Sequence, residues 1–281
     1  MGGLGWGLLA ALLWGTAALV SAQASRLLGS WAALAWVAAI GIAITLPAAL
    51  AVGVPDEATS SDWTWAALAG VGSIGGLLLA YAAMRIGQVS LVTPIVATDG
   101  AVAAILAVLA GEELAALAAG ALAIITTGIV LASISRGGSR DRPGISTRAL
   151  VLALGASLLF ALNFFGAGRT EGLDAIWVAA VARMIGLVLV TLPVVAVGRL
   201  HLTRRAAPYV AAAGTLEIGG YLAYIVGARH GVAIPAVLAS QYAVVAVVGG
   251  LLVFRERLSP LQAAGVALTM VGVGTLAAAQ A

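Results

Sequence analysis

The chain is 281 residues long, 62% hydrophobic and only 9% charged, with a mean hydropathy of +1.12; a soluble domain carries roughly 25% charged residues, so a water-facing surface is excluded. The net charge of +3 comes from arginines scattered singly over short loops, without a basic cluster or interleaved aromatics, which excludes a nucleic-acid partner. With no cysteine, disulfides, thiol catalysis and cysteine metal sites are excluded as well.

A bilayer crossing needs about 20 mostly apolar residues, and the polar and turn-rich points divide the chain into ten such stretches. The first runs over 4–22 and superficially resembles a secretory leader, but it lacks a basic start and is followed by equally apolar segments, so it is expected to be the first span. The others fall at 31–54, 63–84, 88–110, 114–135, 149–166, 175–197, 207–228, 231–254 and 261–279. Backbone groups in lipid must be satisfied internally, and none of these runs alternates as barrel strands do, so helices are expected throughout. The fold class is therefore an all-α membrane protein of ten transmembrane helices.

The longest polar stretch, Arg136–Arg148, lies mid-chain and reads as a linker between a first five-helix repeat at 1–135 and a second at 149–281. Internal similarity supports that division. Ser73-Ile74-Gly75-Gly76 recurs as Glu217-Ile218-Gly219-Gly220, 144 positions on, and the same offset relates Gly87 to Gly231 and Glu112 to Glu256. In the second span of each half, Trp31 matches Trp177 and Thr45-Leu46-Pro47 matches Thr191-Leu192-Pro193, 146 positions on. An odd number of spans per half makes tandem halves insert in opposite orientations, the inverted repeat of many secondary transporters, whose site lies at the repeat interface near mid-membrane.

These residues resemble the EamA family of the drug/metabolite transporter superfamily over essentially the whole chain. The resemblance is carried by Trp14-Gly15, Tyr81, Gly87, Pro94 and Gly111-Glu112-Glu113-Leu114, and in the second half by Tyr224, Gly231, Pro235, Arg255-Glu256-Arg257-Leu258, Gln262 and Gly265. Two departures stand out. A basic residue in the second span occurs only in the second half, as Arg183 against Val37, and Glu112 is one residue closer to Gly120 than Glu256 is to Gly265. The resemblance implies export or import of a metabolite, amino acid or toxic compound by alternating access; no particular substrate follows from it.

Three charged residues fall well inside predicted spans: Asp99, Arg183 and Glu217. A charge at the bilayer centre costs at least about 2.5–3.5 kcal/mol, so each is a candidate for substrate binding or coupling. The plain alternative is a buried ion pair of Arg183 with Glu217 or with Asp99. Asn163, Gln241 and Tyr242 are further polar candidates, with interhelical hydrogen bonding as their plain role. Trp14, Tyr221 and Tyr224 are candidates for lining a cavity, whereas Trp31, Trp63, Trp65 and Trp177 lie near span ends, where aromatic residues sit at headgroup level. Pro94 and Pro235 lie within spans and are candidate kinks for gating; Gly72, Gly76, Gly219 and Gly220 allow close helix contact. Glu112 and Glu256 are expected to cap the helix that follows each, and His201 and His230 to lie at the interface.

No hydrolytic or metal-binding motif is present, so neither an enzyme nor a cofactor is expected. The expected partners are a small-molecule substrate, with protons as candidate coupling ion, and the lipid bilayer; a monomer is consistent with this plan. Arginine-rich, lysine-free usage suggests a GC-rich genome and the cytoplasmic membrane of a prokaryote. The loops after odd-numbered spans hold eleven arginines against two after even-numbered spans, which places both termini outside, whereas the family resemblance implies both inside. A lipid-linked carrier flippase and a non-transporting assembly factor are the alternatives; the first calls for a sideways opening to lipid, the second for no polar cavity.

Overall fold

Apolar composition dictates hydrogen bonds closed within each segment, and the computed structural model is correspondingly helical, with no strand among the described residues. It describes residues 2–87, 89–113, 115–133, 146–254 and 260–279. Most of the expected linker and the Arg255–Leu258 motif with Glu256 therefore lie outside the described residues, as do Leu114 and the side chains of Pro94 and Gln262.

The first half comprises α1 (Gly3–Leu28), α2 (Ser30–Val52), α3 (Ser60–Ile86), α4 (Val89–Val96), α5 (Asp99–Leu109) and α6 (Ala116–Ser133). The second comprises α7 (Thr147–Ala167), α8 (Ala175–Gly186), a π-helical turn at Leu187–Thr191, α9 (Leu192–Ala196), α10 (Ala207–Ala228), α11 (Ala233–Ala239), α12 (Tyr242–Phe254) and α13 (Pro260–Ala279). Among the described residues six stretches are long and apolar enough to cross a membrane by length and composition: α1, α2, α3, α7, Ala175–Ala196 and α10. A single residue, Gly29 at φ +83°, joins α1 to α2, a backbone conformation that side chains disfavour. Helix α3 begins on a capping box: Thr59 accepts from the Asp62 N–H, and Asp62 accepts in return from the Thr59 N–H. The other oxygen of Asp62 accepts from Gly172 N–H, 3.1 Å away, tying this helix start to the turn after α7.

Two expected spans are not continuous. The stretch 88–110 breaks between α4 and α5 at Ala97-Thr98, and 231–254 breaks between α11 and α12 at Ser240-Gln241. The prolines do not mark these points. Pro235 is in the first turn of α11, where a missing N–H leaves no helical bond unmade, and Pro94 lies three residues before the first interruption. At both breaks polar side chains take helix carbonyls: Thr98 Oγ1 donates to Ile95 O (2.8 Å) and Gln241 Nε2 to Val237 O (3.2 Å), while Ser240 Oγ lies 2.9 Å from Ala236 O. Such back-bonding competes with the helical ladder, and the backbone tightens there to Thr98 N–H→Ile95 O and Gln241 N–H→Leu238 O.

The halves pack about a pseudo-two-fold arrangement. Helix α1 lies along α10 as α3 lies along α7; α2 packs on α8, α4 on α12, α5 on α11 and α6 on α13. Small residues set the separations. A Cβ at Gly76 would meet the Phe160 ring at 2.6 Å, and one at the matching Gly220 would meet the Trp14 ring at 2.7 Å. The exterior is apolar, with Leu109 79% and Leu50 65% exposed, while Arg183 is 0%, Asp99 1% and Asn163 2% exposed. Polar groups inside and large aliphatic groups outside suit a lipid solvent.

Candidate functional site

Between the two halves lies a cavity whose empty space, the adjoining open space included, amounts to about 620 Å³. It runs from Trp14, Asp99 and Tyr242 midway along their segments to Ser21, Met84 and Val92 near the α1–α2 and α3–α4 turns. Its walls come from α1, α3, α4, α5, α7, α10 and α12. Of the residues singled out in the sequence, Trp14, Asp99, Asn163, Glu217 and Tyr242 line it; Arg183, Tyr221, Tyr224, Gln241 and Pro235 do not.

Asp99 is the first residue of α5, immediately past the break, where the helix dipole favours a carboxylate. Its Oδ1 accepts from Gly100 N–H and from Ser240 Oγ, both at 2.6 Å. The two helix interruptions thus meet at this one contact, with Gly100 seated directly against Ser240 and the Ala236 carbonyl. Oδ2 makes no hydrogen bond among the described residues. Ser240 carried no sequence signal beyond its place beside Gln241; its partner is 141 residues away.

Glu217 faces the cavity from α10, and Arg183 lies sealed behind it. Arg183 Nη2 is 3.5 Å from Glu217 Oε2, an ion pair but a long hydrogen bond. Nε and Nη1 of the same guanidinium have no hydrogen-bond partner among the described residues, and its Cζ stands 5.8 Å from the Tyr221 ring centroid, close enough for a cation–π attraction. Gly41 makes room for the arginine stem, since a Cβ there would approach Arg183 Cδ to 2.8 Å. Of the two pairings open from sequence, Arg183–Glu217 is the one formed.

Tyr221 and Tyr224 support the wall rather than form it. On α10 they sit one and two turns beyond Glu217, on the same face. Tyr221 OH donates to Asn163 Oδ1 and Tyr224 OH to Phe164 O, each at 2.8 Å. Trp14, Phe164 and Tyr224 stack as one cluster, with centroids 4.5–6.0 Å apart, and Trp14 Nε1 donates to the Glu217 carbonyl at 3.3 Å. Gln241 is buried, and its Oε1 has no hydrogen-bond partner among the described residues. Residues missed as site candidates include Ser21 and Tyr81, hydrogen-bonded to each other at 2.9 Å on the wall, and Ser73 and Phe160; Tyr81 is marked in the sequence only by the family resemblance and Ser73 only by the internal repeat.

Glu112 corrects an expectation. It caps a helix, but not the one that follows: its two carboxylate oxygens accept from Val232 and Ala233 N–H at 2.9 and 3.0 Å, joining the α5–α6 turn to the start of α11 in the other half. Gly231, at φ +108°, turns the chain so that its backbone lies against that carboxylate. A second cleft, of about 1180 Å³, opens here and includes Glu112, Arg169, Glu171 and Arg229. Trp177, in the first turn of α8, is 7% exposed, donates to Gly53 O at 2.6 Å and meets Trp63 edge-on, whereas Trp31 is 53% exposed. His201, in the loop between α9 and α10, and His230, just past α10, are exposed, and among the described residues no cluster of potential metal ligands occurs.

The family model of the EamA-like transporter family matches residues 1–134 and 147–277. No curated protein matches the chain significantly. A protein of known crystal structure superposes with a TM-score of 0.72 at 19% identity, over 97% of this chain and 95% of that one, a likeness of fold.

Proposed function

The chain belongs to the EamA-like transporter family, membrane transporters of the drug/metabolite type, and on that premise we propose that it is a secondary-active exporter of a small metabolite, amino-acid-like or drug-like compound. In this reading ten segments cross the bilayer as two inverted five-helix repeats, and substrate binds at mid-membrane between them. The observation that carries it is the cavity at the repeat interface, with the carboxylates of Asp99 and Glu217 set among aromatic rings. Charges at that depth are costly and mark substrate or ion pathways. An assembly factor would have no use for carboxyl groups in a cavity there, so the same observation favours transport over that alternative.

In alternating access the halves rock about the site. The breaks at Ala97-Thr98 and Ser240-Gln241, crossing at Asp99, are the natural points for segments to pivot. The test is a metabolite flux screen in proteoliposomes, with and without a pH gradient. Asp99→Asn should abolish flux while the protein still inserts and purifies as a folded species. Wild-type flux through Asp99→Asn and through the charge-free pair Arg183→Met/Glu217→Gln would reject this site.

A further inference from the structure

Resting on that transporter reading, and narrowing it, we propose that the cavity takes an organic cation: an amine or quaternary ammonium carried on an apolar, ring-sized body.

The charges on the wall point one way. Two carboxylates, Asp99 and Glu217, line the cavity, and no arginine or histidine lines it among the described residues. The guanidinium of Arg183 is fully buried behind the wall and directed at Glu217. One guanidinium against two carboxyl groups leaves one carboxyl without an ionic partner among the described residues, that of Asp99, whose partners Ser240 and Gly100 are neutral donors on a single oxygen. A buried charge must be paired or neutralised, so a monovalent cation meets the electrostatic demand of the site.

The remaining wall distinguishes an organic cation from a metal ion. Trp14, Tyr81, Phe160, Phe164 and Tyr242 face the space, with Leu77, Val92 and Val96 between them. Ring faces attract ammonium groups, more strongly when water is excluded, and the aliphatic surface suits an apolar body. Metal cations prefer several converging oxygens, and among the described residues no group of three potential ligands exists. An anion would face two carboxylates with only hydroxyls and the Asn163 amide to receive it. Reaching Arg183 would require displacing Glu217 from a guanidinium that no cavity surface exposes.

The experiment is equilibrium binding to the full chain in lipid nanodiscs, using three probes with one ring and different charge: phenethyltrimethylammonium, phenethyl alcohol and 3-phenylpropionate. The cation is expected to bind at least 10-fold tighter than the alcohol, with 3-phenylpropionate weakest. Asp99→Asn is expected to lower affinity for the cation at least 10-fold and to leave the alcohol unaffected, with helix content and gel-filtration profile serving as the fold check. Ser240→Ala, which keeps the carboxylate, should retain the preference for the cation. Cation binding no tighter than that of the alcohol, tighter binding of 3-phenylpropionate, or an Asp99→Asn protein that still prefers the cation would overturn the proposal. Binding needs no flux, so the two readings fail separately. Selective cation binding without flux of any compound counts against transport alone, whereas flux of neutral or anionic compounds with no cation preference counts against the cation alone.

Discussion

Removing Glu217 without its arginine should destabilise the protein far more than removing the pair. Arg183 is completely buried, and its one ionic contact among the described residues is the 3.5 Å approach to Glu217, itself only 12% exposed. Glu217→Gln leaves a guanidinium with no counter-charge and two donors already unpartnered; breaking a buried pair in this way costs about 3–5 kcal/mol. Arg183→Met is milder, because the stranded carboxylate still faces the cavity; about 1–3 kcal/mol is expected, the usual penalty for an unsatisfied polar group. The double variant Arg183→Met/Glu217→Gln removes both charges while keeping the stem that fills the space at Gly41, and should come within about 1 kcal/mol of the parent, since buried pairs exchange for apolar groups with little loss. Unfolding with sodium dodecyl sulfate in mixed micelles, followed by tryptophan fluorescence, gives the four free energies of the cycle. Additive losses in the double variant, or a Glu217→Gln protein as stable as the parent, would refute the reasoning.

Glu112→Gln removes the charge that binds two N–H groups at the start of α11; it should loosen the contact between the halves. Because the chain has no cysteine, alkylation of a single cysteine placed at Ala167, on the wall of the second cleft, reads this directly and should accelerate severalfold. Gly220→Ala should cost about 1–3 kcal/mol by overpacking, because its Cβ falls 2.7 Å from the Trp14 ring, whereas Gly219→Ala, 3.3 Å from the end of Leu13, should cost less than half of that in the same unfolding assay. The arginine count places both termini outside, so a C-terminal reporter active only after export should be active; a reporter active only in the cytoplasm would instead favour the orientation the family implies.

The helical plan was legible because hydropathy and segment length follow from the bilayer, and the repeat was legible because both halves must present small residues at matching contacts. The site was legible only as a set of residues. Asp99 and Glu217 announced themselves by charge, but whether Arg183 pairs with one or the other depends on how α8 and α10 meet, which no local pattern encodes. The interruptions escaped a reading based on proline, since they arise where hydroxyl and amide side chains take helix carbonyls, and a threonine or serine in an apolar run is as often silent. Glu112 shows the same limit: a carboxylate at a turn declares a cap, but not which helix it caps when the partner lies 120 residues away.

Symmetry holds for the scaffold and fails for the chemistry, and that division bears on how such a protein could work. Gly76 against Phe160 repeats as Gly220 against Trp14, and Gly70 against Ala182 and Ile185 repeats as Gly214 against Ile40. An exchange of roles between the halves would therefore find ready-made helix contacts at either end point. The charges have no such counterparts: Glu217 stands where the first half has Ser73, Arg183 where it has Val37, and Asp99 where the second has Ala243. The cavity is correspondingly lopsided, with most of its lining drawn from the first half. Two end states built on equivalent packing would differ chiefly in what surrounds Asp99 and Glu217. The free energy that separates them then lies in those two carboxylates and whatever neutralises them, which is where a bound ligand can exert differential affinity and shift the balance.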